Sequence, residues 1–320
     1  MIKANFICAI NSIEIKEDLG IGIEIIPNEE NENFPNIFLT NNKDIIRKQL
    51  ISGTDKLIGL IEYRHLYNNA KLVAYSKSEF DENQINSIQH LDIHLAILKI
   101  LFFSLWIVKD NSVDFDLGFL MFKNMAGELE TSSNLFSSGC FNALGKRELT
   151  VFTKEEVNKA SIFLNENIKI EVNRAESTAS VKKYSRVTIA NYYIQHARSS
   201  NDIGLKFASY CSALETLFSN DSTELSHKLS ERVSRFLRNS QRERIEIFKI
   251  IKQSYNIRSK VVHGESFKDG QVAEMEKVVV ELDSICREIM DYCLKVELET
   301  NIFYKSIEDM ERYFLELIME

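Results

Sequence analysis

Proline is almost missing from this chain, with two in 320 residues beside only 11 glycines. So few helix breakers exclude a turn-rich or low-complexity chain and favour a helix-rich one. The five cysteines, at 8, 140, 211, 286 and 293, contain no Cys-x-x-Cys pair. An odd and scattered set is what a reducing cytosol permits. The longest uncharged apolar run, Ile100 to Val108, is too short to span a bilayer. Met1 to Cys8 interleaves polar with apolar residues, so no secretory leader is read there. These absences together predict a cytoplasmic protein with no membrane attachment.

What is present is ample for a core: 44% hydrophobic residues, including 20 Phe. The length suits two domains or one large one. Charge is unevenly placed. Residues 182–264 carry 15 Lys and Arg against 7 Asp and Glu, a surplus of +8 in a chain whose net charge is −8. A basic segment inside an acidic protein points to a local anionic partner, with solvated helix faces as the plainer alternative.

In chain order, the first part reads as strands and turns. Ile21, Ile23 and Ile25 alternate with polar or small residues, and Leu57 to Tyr63 and Lys71 to Tyr75 are further strand candidates. Asn28 to Pro35 is a polar loop. Glu82 to Val108 predicts a long helix with Ile85, Ile88, Leu91, Leu95, Leu98 and Phe102 on one face. Residues 110–145 are ambiguous: Phe115, Leu117, Phe119 and Met121 alternate before small and polar residues take over. Thr153 to Glu156 opens a short helix with a capping-box pattern. The polar stretch 172–188 is the predicted boundary, after which helices follow at about 187–219, 223–238, 242–263, 270–299 and 307–319. Strands first and helices afterwards make an α+β chain: a mixed domain over 1–172, then a helical bundle over 185–320.

In the second of these helices, Arg232 falls inside the core stripe of Leu225, Leu229, Val233 and Phe236. A buried guanidinium needs a partner. Glu215, bordering the stripe of Phe207, Cys211, Leu214 and Phe218, is the first choice for that ion pair. Its other candidate role is to orient Arg258. Lys228, Arg235, Arg238, Arg242 and Arg244 lie on the flank away from the core, where they could track phosphates or merely solvate a face.

The stretch Tyr255 to Gly264 organises the chain. Phe248, Ile251 and Tyr255 repeat at helical spacing, and Gly264 is a natural helix stop. His263 therefore sits in the last turn, where the carbonyl ends and the dipole favour a cation. Arg258 lies five residues earlier, roughly 140° around an ideal helix. The two residues flank a stripe of Tyr255, Ser259 and Val262, and two such helices face to face would bring two Arg and two His into one cleft. Other patterns are weaker. His90 and His94 lack a third ligand and the Glu of a His-Glu-x-x-His site. Gly139 to Lys146 has one residue too many for a phosphate loop, and Arg147 stands where Ser or Thr would hold magnesium. Cys286 and Cys293 fit a packed helix face. Tyr192, Tyr193 and His196 read as core or interface, and Trp106 as core.

Arg followed by His with four to six residues between is expected roughly 0.8 times by chance in a chain of this composition. Its context carries more. Tyr210-Cys211-Ser212-Ala213-Leu214-Glu215-Thr216-Leu217-Phe218, Thr223-Glu224-Leu225-Ser226-His227-Lys228-Leu229-Ser230-Glu231-Arg232-Val233 and Tyr255-Asn256-Ile257-Arg258-Ser259-Lys260-Val261-Val262-His263-Gly264 together resemble the HEPN superfamily. The resemblance is to the ApeA-like HEPN domains of bacterial anti-phage defence and covers about residues 185 to 300. It departs at Ser259, where many HEPN nucleases carry Asn, Asp or His. It implies a compact helical domain, a homodimer, and a metal-independent ribonuclease without cofactors. Within that reading His263 is the general acid or base and Arg258 binds the scissile phosphate. Ser259, Glu215 and Tyr255 support the site, and Lys260, Arg235, Arg238 and Lys228 contact RNA. The resemblance further implies tRNA as substrate and growth arrest during phage infection as purpose. It says nothing direct about the first half, which is read separately as a sensing or restraining domain, with a phage trigger or an antitoxin as a further partner. The other readings are a non-catalytic HEPN dimer acting as a binding module and a nucleotide-binding helical domain.

Overall fold

A computed structural model of the chain describes residues 1–25, 34–50, 53–135, 139–176, 185–220, 225–265 and 267–319. The predicted loop residues 28–33, and Thr223 and Glu224, lie outside the described residues. The architecture is α+β, an antiparallel sheet region followed by a helical region. Two compact units result: residues 1–140 with 147–171, and residues 141–146 with 172–320.

In the first unit, β1 (Ile2–Ile10) is the central strand. It is followed by β2 (Ile13–Ile15), β3 (Ile23–Glu24), β4 (Phe38–Thr40), β5 (Leu72–Phe80), β6 (Gly118–Lys123), β7 (Leu129–Ser133) and β8 (Thr150–Phe152). Six strands pair in the order β3-β4-β5-β1-β6-β7, and β2 pairs in parallel with β8. Alternation along β1 explains its place, since successive side chains point to opposite faces. Ile2, Ala4, Phe6, Cys8 and Ile10 enter one hydrophobic cluster, whereas Ile7 and Ala9 enter another. On the second face, α1 (Lys43–Gln49), α2 (Thr54–Ile58) and a π turn (His65–Asn69) contribute Ile46, Ile58 and Leu66, and α3 (Leu60–Arg64) adds the partly buried Tyr63. On the first, α4 (Ser87–Val108) contributes Leu91, Leu95, Leu98, Leu101, Phe102 and Leu105. By length and composition α4 could cross a membrane, but 67% of its apolar window is buried in the unit.

Several expectations change. The strand predicted over Leu57 to Tyr63 is the pair α2 and α3. A short apolar run does not tell strand from helix, and Gly59, at φ +87°, breaks any extended path and joins the two short helices. Around Ile21 to Ile25 only Ile23 and Glu24 pair as a strand. Gly22 there takes φ +122°, and a Cβ on it would press on the Leu39 carbonyl. The α4 helix starts at Ser87, later than Glu82, because Asn86 and Gln89 cap it reciprocally, and Ile88 points to solvent. Thr153 and Glu156 do form the capping box: Thr153 N–H donates to the Glu156 carboxylate at 2.9 Å, and Thr153 Oγ1 accepts from Glu156 N–H at 3.1 Å. The helix it opens, α5 (Lys154–Glu176), is long rather than short. It runs past residue 172, so the predicted boundary begins inside a helix.

The second unit comprises α6 (Arg186–Ser199), α7 (Ile203–Phe218), α8 (Leu225–Leu237), α9 (Gln241–Val262), α10 (Asp269–Lys295), a 3-10 turn (Ile302–Tyr304) and α11 (Ile307–Met319). The single helix expected over 187–219 is broken at 200–202, where Asp202 caps α7 by accepting from Leu205 N–H at 2.8 Å. The loop Phe141 to Lys146 docks on this corner: Phe141 N–H donates to the Arg198 carbonyl at 2.8 Å, and a Cβ on Gly145 would collide with the Asn201 carbonyl. That is a packing role for the glycine-flanked stretch. α7 is the core helix, with Phe207, Tyr210, Cys211, Leu214 and Phe218 buried. Tyr210 Oη donates to Asp283 Oδ1 on α10 at 2.6 Å, and Arg287 holds the other carboxylate oxygen at 2.9 Å. Phe218 meets Phe236, Phe303 and Phe314 at 5.2–5.4 Å between ring centres. Cys211, Cys286 and Cys293 are free and buried, with burial raising each thiol.

Arg232 is buried, as its place in the stripe requires, but its partner is not Glu215. The guanidinium grips Glu311 of α11 with both Nη atoms and donates to the Phe218 carbonyl at 2.8 Å. The Arg232 hydrogen bonds hold the Glu311 carboxyl below its usual range. The arginine side chain is 5% exposed and the glutamate 35%, so losing the glutamate strands the more deeply buried charge. Glu311→Ala is therefore expected to destabilise the helical unit by about 3 kcal/mol, read from denaturant melts, with Arg232→Met milder.

Candidate functional site

The end of α9 builds the site. His263 is its C-cap, and Gly264 follows at φ +74°. Glu265 N–H donates to the Lys260 carbonyl at 2.9 Å and Gly264 N–H to the Val261 carbonyl at 3.1 Å. This crossed pair is a Schellman closure, which needs a left-handed residue where only glycine is free of steric cost. The closure fixes the His263 backbone while its side chain stays exposed.

Arg258 faces the other way, towards α7. Its Nη2 lies 3.7 Å from Glu215 Oε1, and its Cζ lies 5.6 Å from the centre of the Tyr255 ring. Tyr255 Oη donates to the same Glu215 oxygen. One carboxylate on α7 thus gathers a phenol and a guanidinium from successive turns of α9. Burial, then the bond to Glu215, raises the Tyr255 phenol well above its ordinary value, so it stays protonated and donating. Of the two roles open to Glu215, the ion pair with Arg232 fails and the contact with Arg258 is present. Within the stripe between Arg258 and His263, Tyr255 is half-buried against α7 while Ser259 and Val262 are exposed. Lys260 is half-buried.

The predicted basic row divides. Arg238 is clamped to Glu288 of α10 at 2.5 and 2.8 Å, so its guanidinium is engaged. Lys228 is half-buried, and its charge acts on Glu311. Arg242 pairs along its own helix with Glu246 at 3.5 Å, and Arg244 Nε donates to the Arg238 carbonyl at 2.8 Å. Arg235 lines an open cleft of about 890 Å³ between α8 and α9, together with Arg244, Phe248, Lys249 and Lys252. The sequence reading missed Lys249 and Lys252. Their signal was positional, because they share the α9 face that leads to His263.

His90 and His94 are core residues. His90 Nε2 meets Ser78 Oγ at 2.8 Å and its ring stacks on Phe80 at 5.0 Å. His94 Nδ1 donates to the His90 carbonyl at 2.8 Å, and its ring lies 4.6 Å from Phe6. Among the described residues no cluster of three His, Cys, Asp or Glu side chains is placed to hold a metal. Burial pulls His94 from the ordinary 6.5 down to about 4, and His90 is lowered by the same cause. A depressed histidine contributes stability that is complete above pH 6.5 and is lost as pH falls through the folded value. A shift of that size corresponds to about 3 kcal/mol by pH 4. Thermal melts between pH 7 and 4 should show an acid-labile sheet unit, and His94→Phe should flatten the slope. Trp106 is buried in the core, while Tyr192 and Tyr193 are partly exposed and His196 Nδ1 meets Ser209 Oγ at 2.9 Å.

Comparisons with known protein families, with curated protein sequences and with solved structures returned no match.

Proposed function

We propose that the helical unit is a metal-independent endoribonuclease of HEPN type, acting as a homodimer. The observation that carries this reading is the division of labour at the end of α9: Arg258 oriented by Glu215 and Tyr255, His263 exposed on a locked helix terminus. The RNA 2′-OH attacks the adjacent phosphorus and gives up its proton to a base. The bond to the 5′ oxygen breaks, and that oxygen takes a proton from an acid. The products are a 2′,3′-cyclic phosphate and a 5′-OH. Imidazole suits either proton transfer near neutral pH. Arg258 binds the scissile phosphate and offsets charge growing on its oxygens. Lys260 holds a flanking phosphate, and Ser259 lies beside the site. With the two residues diverging around one helix, a second copy completes the cleft.

The substrate in this reading is RNA, with tRNA the first to test. The setting is cytoplasmic anti-phage defence, in which the sheet-containing unit senses a phage trigger or restrains the nuclease and an antitoxin is a further partner. The Glu215 contact also favours a second reading, because it already neutralises Arg258: a non-catalytic HEPN dimer that binds or regulates. Product ends separate the two. Cleaved RNA should be labelled by polynucleotide kinase at its new 5′ end without phosphatase treatment, and its 3′ fragment ends should need cyclic-phosphate opening before ligation. The same cutting should persist in EDTA. Intact RNA under all conditions, or 5′-phosphate ends, would remove the proposal.

A further inference from the structure

The α8–α9 cleft and His263 lie on one line. Ile245, Lys249, Lys252, Asn256, Lys260 and His263 succeed one another in steps of three and four residues, which is a single helix face. Ile245, Lys249, Lys252 and Asn256 of this series line the cleft, and Arg235 and Arg244 add two guanidinium groups. Glu231 is the acid in the lining. Gln253, also in the wall, is held by Glu274 at 2.6 Å. The lining is therefore strongly cationic, although the chain as a whole is acidic. It is also partly apolar: Ile245 is exposed, and the half-exposed Phe248 ring carries His227 edge-on at 5.4 Å and the Lys252 ammonium at 5.8 Å.

We propose that this cleft binds single-stranded RNA and leads it along α9 to His263. The inference rests on the nuclease reading only for the position of the scissile phosphate. Cations spaced along a groove track a phosphate backbone, and an aromatic ring in the same groove takes bases that are free to stack. A duplex hides its base faces and would leave Phe248 and Ile245 against water. From Lys249 to His263 a helix rises about 21 Å. A stacked strand rising about 3.4 Å per nucleotide lays about six nucleotides along it. The cut therefore falls at one end of an unpaired segment, so a loop or tail of RNA is the substrate class, not a paired stem.

The test uses the full-length chain and a fluorescent RNA of about 12 nucleotides, 2′-O-methylated throughout so that it binds but cannot be cut. Lys249 and Lys252 are both exposed, so the double change Lys249→Glu with Lys252→Glu leaves the core untouched. It is expected to weaken binding at least about tenfold and to lower the salt slope by about 1.4, two phosphate contacts on a single strand. Phe248→Ala is expected to weaken binding about tenfold in a protein whose melting point is kept. Lys277→Glu, exposed on α10, controls for charge and should change little. Unlabelled single strand should compete far better than a duplex of equal length. If the double variant binds like the Lys277 control, or the duplex competes equally, the assignment is overturned. Wild-type protein that binds through the cleft but never cuts an unmodified strand sinks the nuclease reading and leaves this one standing. Protein that cuts with unchanged rate and positions after the Lys249 and Lys252 reversals does the opposite.

Discussion

His263→Ala is expected to lower RNA cleavage by roughly 10³-fold, within the range that positioned acid–base groups supply. Arg258→Ala is expected to lower it by roughly 10²–10³-fold, the usual loss when a charge-stabilising donor is removed. Both should leave the fold intact. His263 is exposed, and the helix end is closed by main-chain bonds that its side chain does not make. Losing Arg258 leaves Glu215 with the Tyr255 hydrogen bond and a quarter of its side chain in solvent. The melting point should therefore move by only a few degrees in either variant. Initial rates on labelled RNA, measured beside thermal melts, give both numbers. Wild-type rates in either variant would remove that residue from the chemistry.

The second large effect concerns assembly. Val262 is 56% exposed on the stripe between Arg258 and His263. An aspartate there costs the free chain little, about 0.3–1 kcal/mol from an acid placed in the last turn of a helix. At a twofold interface the same substitution sets two carboxylates into an apolar contact. Val262→Asp should therefore split the dimer and silence cleavage together while the helical unit stays folded. Sedimentation at micromolar concentration, circular dichroism and a cleavage assay on one preparation decide it. A variant that remains dimeric and active would place the interface elsewhere. A wild-type chain that is monomeric yet cuts RNA would end the two-chain site.

What could be read from the sequence was mostly local. The capping box at Thr153 and the glycine stop after His263 depend on residues within a few positions of one another, and each is present, whereas the α4 stripe holds only from Leu91 to Phe102, because Ile85 precedes the helix and Ile88 faces solvent. Arg232 was correctly expected inside a core stripe, but Glu311 lies 79 residues away, on a helix whose docking the local pattern does not encode. Glu215 could be assigned only once α7 and α9 were seen to pack, which brings Arg258 rather than Arg232 to it. The break at 200–202 had a signal, Ser-Asn-Asp before an apolar run, and the long periodic stretch masked it. Leu57 to Tyr63 failed because apolar runs of that length fit strand and helix alike. The cleft was invisible for another reason. Its cations come from two helices, and the clamp of Arg238 on Glu288 removes from the row a residue that sequence alone counts with the others.

The most direct measurement is a time course of purified protein with total tRNA in excess EDTA, run beside His263→Ala. Wild-type protein should convert tRNA into discrete fragments ending in 2′,3′-cyclic phosphate, whereas the variant, slowed roughly 10³-fold, should form no visible fragments within the time that wild-type protein needs for complete conversion. Equal cutting by both proteins, or cutting that disappears with EDTA and returns with zinc or magnesium, would contradict the nuclease reading.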